Sequence, residues 1–481
     1  MTKRRALFLA FAIVAVLLLL PGIGRSIQRQ QALAANVVLP PWTVGKPMPG
    51  DIDWAWDIVP LDDHVYLSGV RIDKTERNDG RAYHFILKIQ KSDGAVVGQA
   101  TEPAINTGER SSLANTGGIT DGGDGFLYAV GLEPGVPATL TQGLLWKVDP
   151  TTMKTTPFAG NPGRQVVTEP GTAVALSRVK AFGSKLYAAG FSYPTQGNTQ
   201  GNTDWHLVVF DRESGKLEQS FTAYASADGN PCNDEVNGIH VDESGVYLAG
   251  QVLDGACDQL RSRVLRLRAN ASGKLERVAE WTLMNGDKPA LADGWAIAGS
   301  GTGEVLVLSR YFRTSGALGV DWRMDALRPC SAPPNLCSVS YAESKLNDGP
   351  SYTMPRAIAV HPGDPARIVT GGFRRDLGGR QCTELLPRLG PTCWNWRLEG
   401  WTWSAGDGFH PLWTREAYNG PEDKTGLLHS LAIDPNGRDY YAAGCINAAG
   451  PHDARGCFLA SQKSEVGWDA QWLRGNVLTG Q

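Results

Sequence analysis

One phrase recurs seven times along 481 residues, and its spacing constrains the fold more than any single residue does. The copies read "WDIVPLDDHVYLSG", "GGITDGGDGFLYAVG", "SRVKAFGSKLYAAG", "NGIHVDESGVYLAG", "WAIAGSGTGEVLVLS", "RAIAVHPGDPARIVTG" and "HSLAIDPNGRDYYAAG". They end at Gly69, Gly131, Gly190, Gly250, Ser309, Gly371 and Gly444, spaced 62, 59, 60, 59, 62 and 73 residues apart. Each reads as an apolar strand, a tight turn and a second strand. "DESG" and "DPNG" place Asp, Asn or Gly where a side chain must close the turn or φ must be positive. Third strands and hairpins follow: "FILKIQKSDGAVV", "LLWKVDPTTMKTT", "LVVFDRESGKLEQ", "VLRLRANASGKLER" and, in the last copy, "FLASQKSEVGWDA". Copies five and six carry looser versions, "WRMDALRPCSAPPNLCSV" and "WRLEGWTWSAGDGFHPLW".

Strands such as "VYLAG" are apolar on both faces, so each four-stranded sheet must be covered on both sides. Repeats in series need neighbours for a core, and closing the series into a ring supplies them. The spacing therefore predicts an all-β chain: a single seven-bladed β-propeller of four-stranded antiparallel blades over residues 36–481. An open solenoid normally has shorter coils, and two β-sandwiches would not keep a 60-residue period. The 57 Gly and 29 Pro agree with many short strands joined by tight turns. Two segments compete to complete a shared closing blade: "NVVLPPWTVG" (Asn36–Gly45) and the C-terminal "WLRGNVLTG".

The phrase "IHVDESGVYLAG" with its following "VLRLRANASGKLERVAEW" resembles the repeats of secreted bacterial propellers of the SBBP (seven-bladed β-propeller) type. The resemblance covers essentially everything after the N-terminal segment, and its motif is structural rather than chemical. It implies an envelope or extracellular propeller and carries over no catalytic residue. The chain departs from the pattern at Ser309, where the usual Gly is missing, and in its long sixth copy.

Lys3, Arg4 and Arg5 precede an apolar run from Ala6 to Leu20, the layout of an export signal. Residues 1–35 read as a signal peptide cleaved after "ALA" (Ala32–Ala34), or as a retained anchor; membrane contact is expected only through this segment, if uncleaved. Without its five basic residues the chain holds 41 basic against 49 acidic residues, a net charge of −8. Such a surface repels phosphate backbones, so no nucleic-acid partner is expected. The eight cysteines fall into four local couples: Cys232 with Cys257, Cys330 with Cys337, Cys382 with Cys393, and Cys445 with Cys457. They read as disulfides formed in an oxidising compartment. The first couple would join two loops on one face of blade four, and the second would close a hairpin on the opposite face.

Linear signatures of catalysis are sparse. GxSxG, HExxH, Walker and GxGxxG patterns are absent, and the eight His make no i, i+2 or i, i+4 pair, so no metal ligands and no cofactor are assigned. "SRVK" (Ser177–Lys180) satisfies SxxK without companion motifs, and "DGGDG" (Asp121–Gly125) reads as a turn rather than a calcium loop. Propellers bind ligands where inner strands begin. Reading two residues ahead of each inner strand's apolar stretch gives Trp56, Gly117, Ser177, Asn237, Trp295, Arg356 and His429, with Asp53, Trp54, Asp57, Asp234 and Asp293 nearby. The candidate mouth comprises Asp53, Trp54, Trp56, Asp57, Asn237, Trp295, Arg356 and His429, suited to a sugar or a peptide. A second candidate is the basic loop "GGFRRDLGGRQCTELLPRLGPTCWNWR", with Arg374, Arg375, Arg380, Arg388 and Arg397, suited to an anionic group.

The leading expectation is an exported or cell-surface propeller acting as a non-enzymatic scaffold for a protein or glycan partner. The alternative is a propeller enzyme, a lyase, hydrolase or quinone-dependent dehydrogenase, with its site at the central mouth; such sites are assembled from several blades.

Overall fold

The computed structural model describes residues 43–45, 52–72, 81–106, 117–134, 141–167, 172–194, 203–224, 232–254, 257–285, 288–312, 320–330, 336–344, 353–376, 385–386, 390–391, 393–417, 426–447 and 468–480. These residues form seven main antiparallel sheets, each consistent with one copy of the repeat. In blade four, the inner strand Glu235–Asp242 pairs with Gly245–Asp254, which pairs with Gln259–Ala269, which pairs with Leu275–Thr282. The turn between the first two strands is closed as its sequence requires. Asp242 Oδ1 accepts from Ser244 N at 2.7 Å and from Ser244 Oγ at 2.6 Å. Blade two departs from four simple strands: its outer segment is split into Lys154–Thr155 and Arg164–Val167, both pairing with Thr141–Asp149.

The ring closes through both ends of the chain. Trp468–Asn476 is the third strand of blade seven, and Thr43–Gly45 pairs with it as the outermost strand, Thr43 opposite Leu473. The third strand expected at "FLASQKSEVGWDA" is thereby corrected to Trp468–Asn476, which takes in Trp468, Asp469 and Ala470 of that stretch; its residues 458–467 lie outside the described residues. The C-terminal segment supplies the third position, so the outer position falls to the N-terminal strand. Lys91 of blade one pairs with Asp434 of blade seven at 2.5 Å, and Trp472 Nε1 donates to Gly94 O at 3.2 Å, fastening the seam.

The core is distributed rather than central. Seven apolar clusters are present among the described residues, and each spans two adjacent blades. The seam itself holds one, in which Ala55, Leu67 and Phe85 of blade one pack with Tyr441, Ala443 and Trp472 of blade seven. A blade therefore has no core of its own, which is why the period had to close.

At the interface between blades three and four, Trp205 reaches the recurring glycine within the second strand of blade four, Gly250. A Cβ on Gly250 would lie 2.0 Å from Glu235 O and 2.9 Å from Trp205 Cζ2, so no side chain fits there. Trp322 meets Gly372, and Trp396 meets Gly444, in the same way. The register shows that Gly372, opposite Pro355, occupies this place in blade six, one residue beyond the expected Gly371. At Ser309 the interface is different: Ser262 Oγ of blade four lies 2.8 Å from Ser309 Oγ, both side chains fully buried.

Candidate functional site

In six inner strands the ladder slips by one residue at the same place, and the extra residue is Trp56, Ser177, Asn237, Trp295, Arg356 or His429. In blade two the equivalent residue is Gly117, with φ of +122° just ahead of Gly118, whose carbonyl accepts from Val130 N. A bulge leaves one residue out of the in-and-out alternation and re-aims its side chain. Six of the seven positions singled out from the sequence are thus bulge positions, and Gly117 stands at the equivalent place in blade two.

The bulges touch one another around the channel. The rings of Trp56 and His429 meet edge to face, with centroids 4.3 Å apart. The Arg356 guanidinium lies 3.7 Å from the centroid of Trp295. Arg178 Nε donates to Asn237 O at 3.1 Å, and Asn237 Nδ2 donates to Gly294 O at 2.9 Å. Gly117 faces the Trp56 ring so closely that a Cβ would lie 3.1 Å from Trp56 Cδ1. Asp57, one residue past its bulge, ties three blades: its oxygens accept from Ile58 N (2.9 Å), Ile119 N (3.2 Å) and Ser430 Oγ (2.7 Å). Among the described residues, Trp56, Ser177, Arg178, Glu235, Asn237 and Arg356 line a gap that admits little more than one water-sized species. Trp56, Trp295, Arg356 and His429 are 4%, 9%, 6% and 2% exposed, whereas Asp57, Arg178, Glu235 and Asn237 keep partial exposure.

Burial sets the electrostatics. It pushes the Arg356 guanidinium down to about 9, and Asp293 beside it opposes that shift. Burial also lowers Arg178, against the pull of Asp57. His429 is held well below the ordinary imidazole value, first by burial and then by Arg356 and Arg178, so it is neutral at pH 7. Burial raises Glu235 towards its neutral form, against Arg356. Asp293 is buried in an ion pair with Arg310, whose Nε lies 2.8 Å from its Oδ1.

The other candidates fall as follows. Asp53 and Trp54 lie on the inner strand Ile52–Leu61, opposite Arg71 and Val70, and their side chains are outside the description. Asp234 is buried at the entry to blade four, where its Oδ1 accepts from Leu253 N at 2.8 Å. Arg374 and Arg375 sit at the end of strand Arg367–Asp376, and Arg380 and Arg388 lie outside the described residues. Arg397 is corrected: it is no loop cation but a buried strand residue, its Nη2 2.6 Å from Glu399 Oε1. In "SRVK", Ser177 is buried at a bulge, its hydroxyl donating to Ala189 O, while Lys180 is exposed. In "DGGDG" a turn is seen, with Asp121 Oδ1 accepting from Gly123 N at 2.9 Å. Sequence reasoning passed over Arg178 and Glu235; the available signal was a charge beside each bulge in an otherwise apolar strand.

Cys232 is bonded to Cys257 and Cys330 to Cys337, on the two loops expected, and Cys445 is disulfide-bonded as well. The two pairs point to an oxidising environment outside the cytoplasm. Cys382 and Cys457 lie outside the described residues, as does the side chain of Cys393.

No family model and no curated protein matches the chain. Among solved structures it is similar to the periplasmic gluconolactonase PpgL of Pseudomonas aeruginosa, at 11% identity over 89% of this chain and 97% of that one, TM-score 0.42. It is also similar to the Dos1 propeller, at 12% identity over 92% and 98%, TM-score 0.46. A third is the quinohemoprotein alcohol dehydrogenase ADHIIG of Pseudomonas putida HK5, at 9% identity over 92% and 76%, TM-score 0.40. At such identities nothing about activity transfers; the strand pairing of the chain itself establishes the ring.

Proposed function

We propose that this protein is an exported, non-catalytic propeller that presents its ring faces and loops to a protein or glycan partner in the cell envelope. The observation that carries this reading is the set of contacts between bulge side chains of different blades. Among the described residues, Trp56 meets His429 and Arg356 meets Trp295, and the gap beside Trp56 and Arg356 admits little more than a water, which favours recognition at the rim and its loops. Asp53, Trp54 and Asn237 would serve a partner seated over the mouth. Arg374, Arg375, Arg380 and Arg388 would serve an acidic group beside blade six. The disulfides at blades four and five hold loop geometry, which lowers the ordering cost of binding.

The test uses the chain from Asn36, titrated calorimetrically with envelope glycan fragments and acidic peptides, alongside turnover assays on lactones, esters and alcohols with a quinone acceptor. Saturable binding that weakens at least tenfold when Arg374, Arg375, Arg380 and Arg388 become Gln, with no turnover, is the expected result. Turnover abolished by Trp56→Ala or His429→Ala would replace the scaffold by an enzyme.

A further inference from the structure

Two consecutive copies of the repeat share a hairpin sequence that the other copies lack: "SGKLE", at residues 214–218 in blade three and 272–276 in blade four. Both hairpins are locked by a side chain that closes the turn. Asp211 Oδ1 accepts from Ser214 N at 2.9 Å and Ser214 Oγ at 2.7 Å, and Asn270 Oδ1 accepts from Ser272 N at 3.0 Å and Ser272 Oγ at 2.7 Å. Gly215 and Gly273 supply the left-handed backbone, with φ of +67° and +81°. Gln219 then ties one blade to the next: its Nε2 donates to Gly273 O at 2.7 Å, and its Oε1 accepts from Leu275 N at 2.9 Å. The equivalent lysines of the two copies, Lys216 and Lys274, thereby line one groove. Hairpins between third and fourth strands lie on the ring face opposite the mouth, so the groove is remote from the bulges.

The groove holds about 710 Å³, within the range of about 300–1,000 Å³ of small-ligand sites. Among the described residues, the ammonium groups of Lys216 and Lys274 make no ion pair and no hydrogen bond. The acid on the lining, Glu218, is taken by Lys185 at 2.5 Å. Two unpaired cations in one groove, on a chain of net charge −8 beyond residue 35, select for a negative ligand. The rest of the lining narrows its chemistry. Ser220 offers an exposed hydroxyl, and Ser272 keeps its oxygen free to accept. Leu217, 36% exposed, offers an apolar surface. Gln219 reaches from blade to blade, so the groove presents side chains rather than a free strand edge on which a peptide backbone could pair. Carboxylates for the lysines, hydroxyls for the serines and a C–H ring face for the leucine are together the chemistry of an acidic sugar.

We propose that the groove between the hairpins of blades three and four binds a short acidic saccharide, its carboxylates paired with Lys216 and Lys274 and its hydroxyls with Ser220 and Ser272. The site goes beyond recognition at the rim: it lies across the ring from the mouth and on different blades from the basic loop, so either can fail without the other.

The probe is tri-galacturonate, titrated calorimetrically into the full chain, with its fully methyl-esterified form as the uncharged control and hexaglutamate as the acidic peptide. Saturable binding of tri-galacturonate is expected, weakening as salt rises because exposed ion pairs are screened. It should exceed binding of the ester and of hexaglutamate by about tenfold or more, arms that need only the unaltered chain. Lys216→Gln combined with Lys274→Gln should weaken it by about tenfold or more. Lys180→Gln, an exposed lysine on strand Thr172–Phe182 outside the groove, should leave it unchanged, as should Arg374→Gln with Arg375→Gln. Equal thermal midpoints show that the variants are folded. No saturable binding, equal binding of the ester or of hexaglutamate, or undiminished binding by the folded lysine double variant overturns the site. Binding lost with the two arginines instead places the saccharide at the basic loop and overturns it as well.

Discussion

Ser309 occupies the one described second strand where the recurring glycine is missing, and it faces Ser262 of the preceding blade across a 2.8 Å hydrogen bond. Ser262 stands where the other interfaces place Trp205, Trp322 or Trp396, one residue before the partner of the recurring-glycine position. A large ring against a glycine and two small hydroxyls against each other are alternative fillings of the same space. Ser309→Ala should cost about 1–3 kcal/mol, because it leaves the Ser262 hydroxyl buried and unpaired. The double change Ser262→Ala/Ser309→Ala should cost less than the sum of the singles, which a denaturation cycle measures. Gly250→Ala has no such remedy, since the clash is with backbone, and should cost about 1–3 kcal/mol or more.

His84 fills the corresponding position in blade one, its Nε2 within 2.9 Å of Leu132 O and 3.1 Å of Leu132 N. Burial holds it down to about 4, against 6.5 for an ordinary imidazole. The unfolded chain therefore takes up this proton at a higher pH than the folded one. The contribution is full above about 6.5 and is lost as pH falls towards about 4, at a cost of about 3 kcal/mol. His84→Trp, copying the other interfaces, should flatten the acid limb of stability measured by urea unfolding between pH 7 and 4.

Asp234 has the opposite sign. Burial, reinforced by Asp204, raises its carboxyl to about 7, while the Leu253 amide opposes the shift. The folded state holds this proton when the unfolded state has lost it, so stability is full below about 3.8 and declines as pH rises to about 7. Asn keeps the acceptor for Leu253 N–H without the charge. Asp234→Asn should be more stable than the parent by on the order of 4 kcal/mol at pH 8, and by clearly less at pH 5. An equal gain at both would contradict the assignment.

The two disulfides should differ in worth. Cys232–Cys257 closes 25 residues and Cys330–Cys337 closes seven. Removing the first pair as Cys→Ser should cost about 3 kcal/mol and the second about 2 kcal/mol, by loop-closure entropy in the unfolded chain. Chemical denaturation of the two double variants checks the order.

Periodicity made the ring legible, because a repeat that cannot bury its own faces has few ways to be covered. The bulge positions were legible too, since each sits at a fixed offset before an inner-strand apolar run. Two features were hidden by distance in sequence. Thr43 and Leu473 pair across nearly the whole chain, and nothing local marks Gly45 rather than the C-terminus as the outer edge. Trp56 and His429 are 373 residues apart, and only ring closure brings them together. Sequence also leaves the channel's state open, because a row of Trp, His and Arg at strand starts describes an open mouth and a packed plug equally well.

Whether the channel is plugged can be read by carbethoxylating histidines in the native protein and mapping the modified peptides. The reagent attacks neutral imidazole, and burial together with Arg356 and Arg178 keeps His429 neutral, so protection there means inaccessibility rather than protonation. His410 is exposed and serves as the internal standard. The packed ring predicts that His410 is modified at once and His429 only when the protein unfolds. Modification of His429 at the rate of His410 in the folded protein would mean an open channel and would contradict the account.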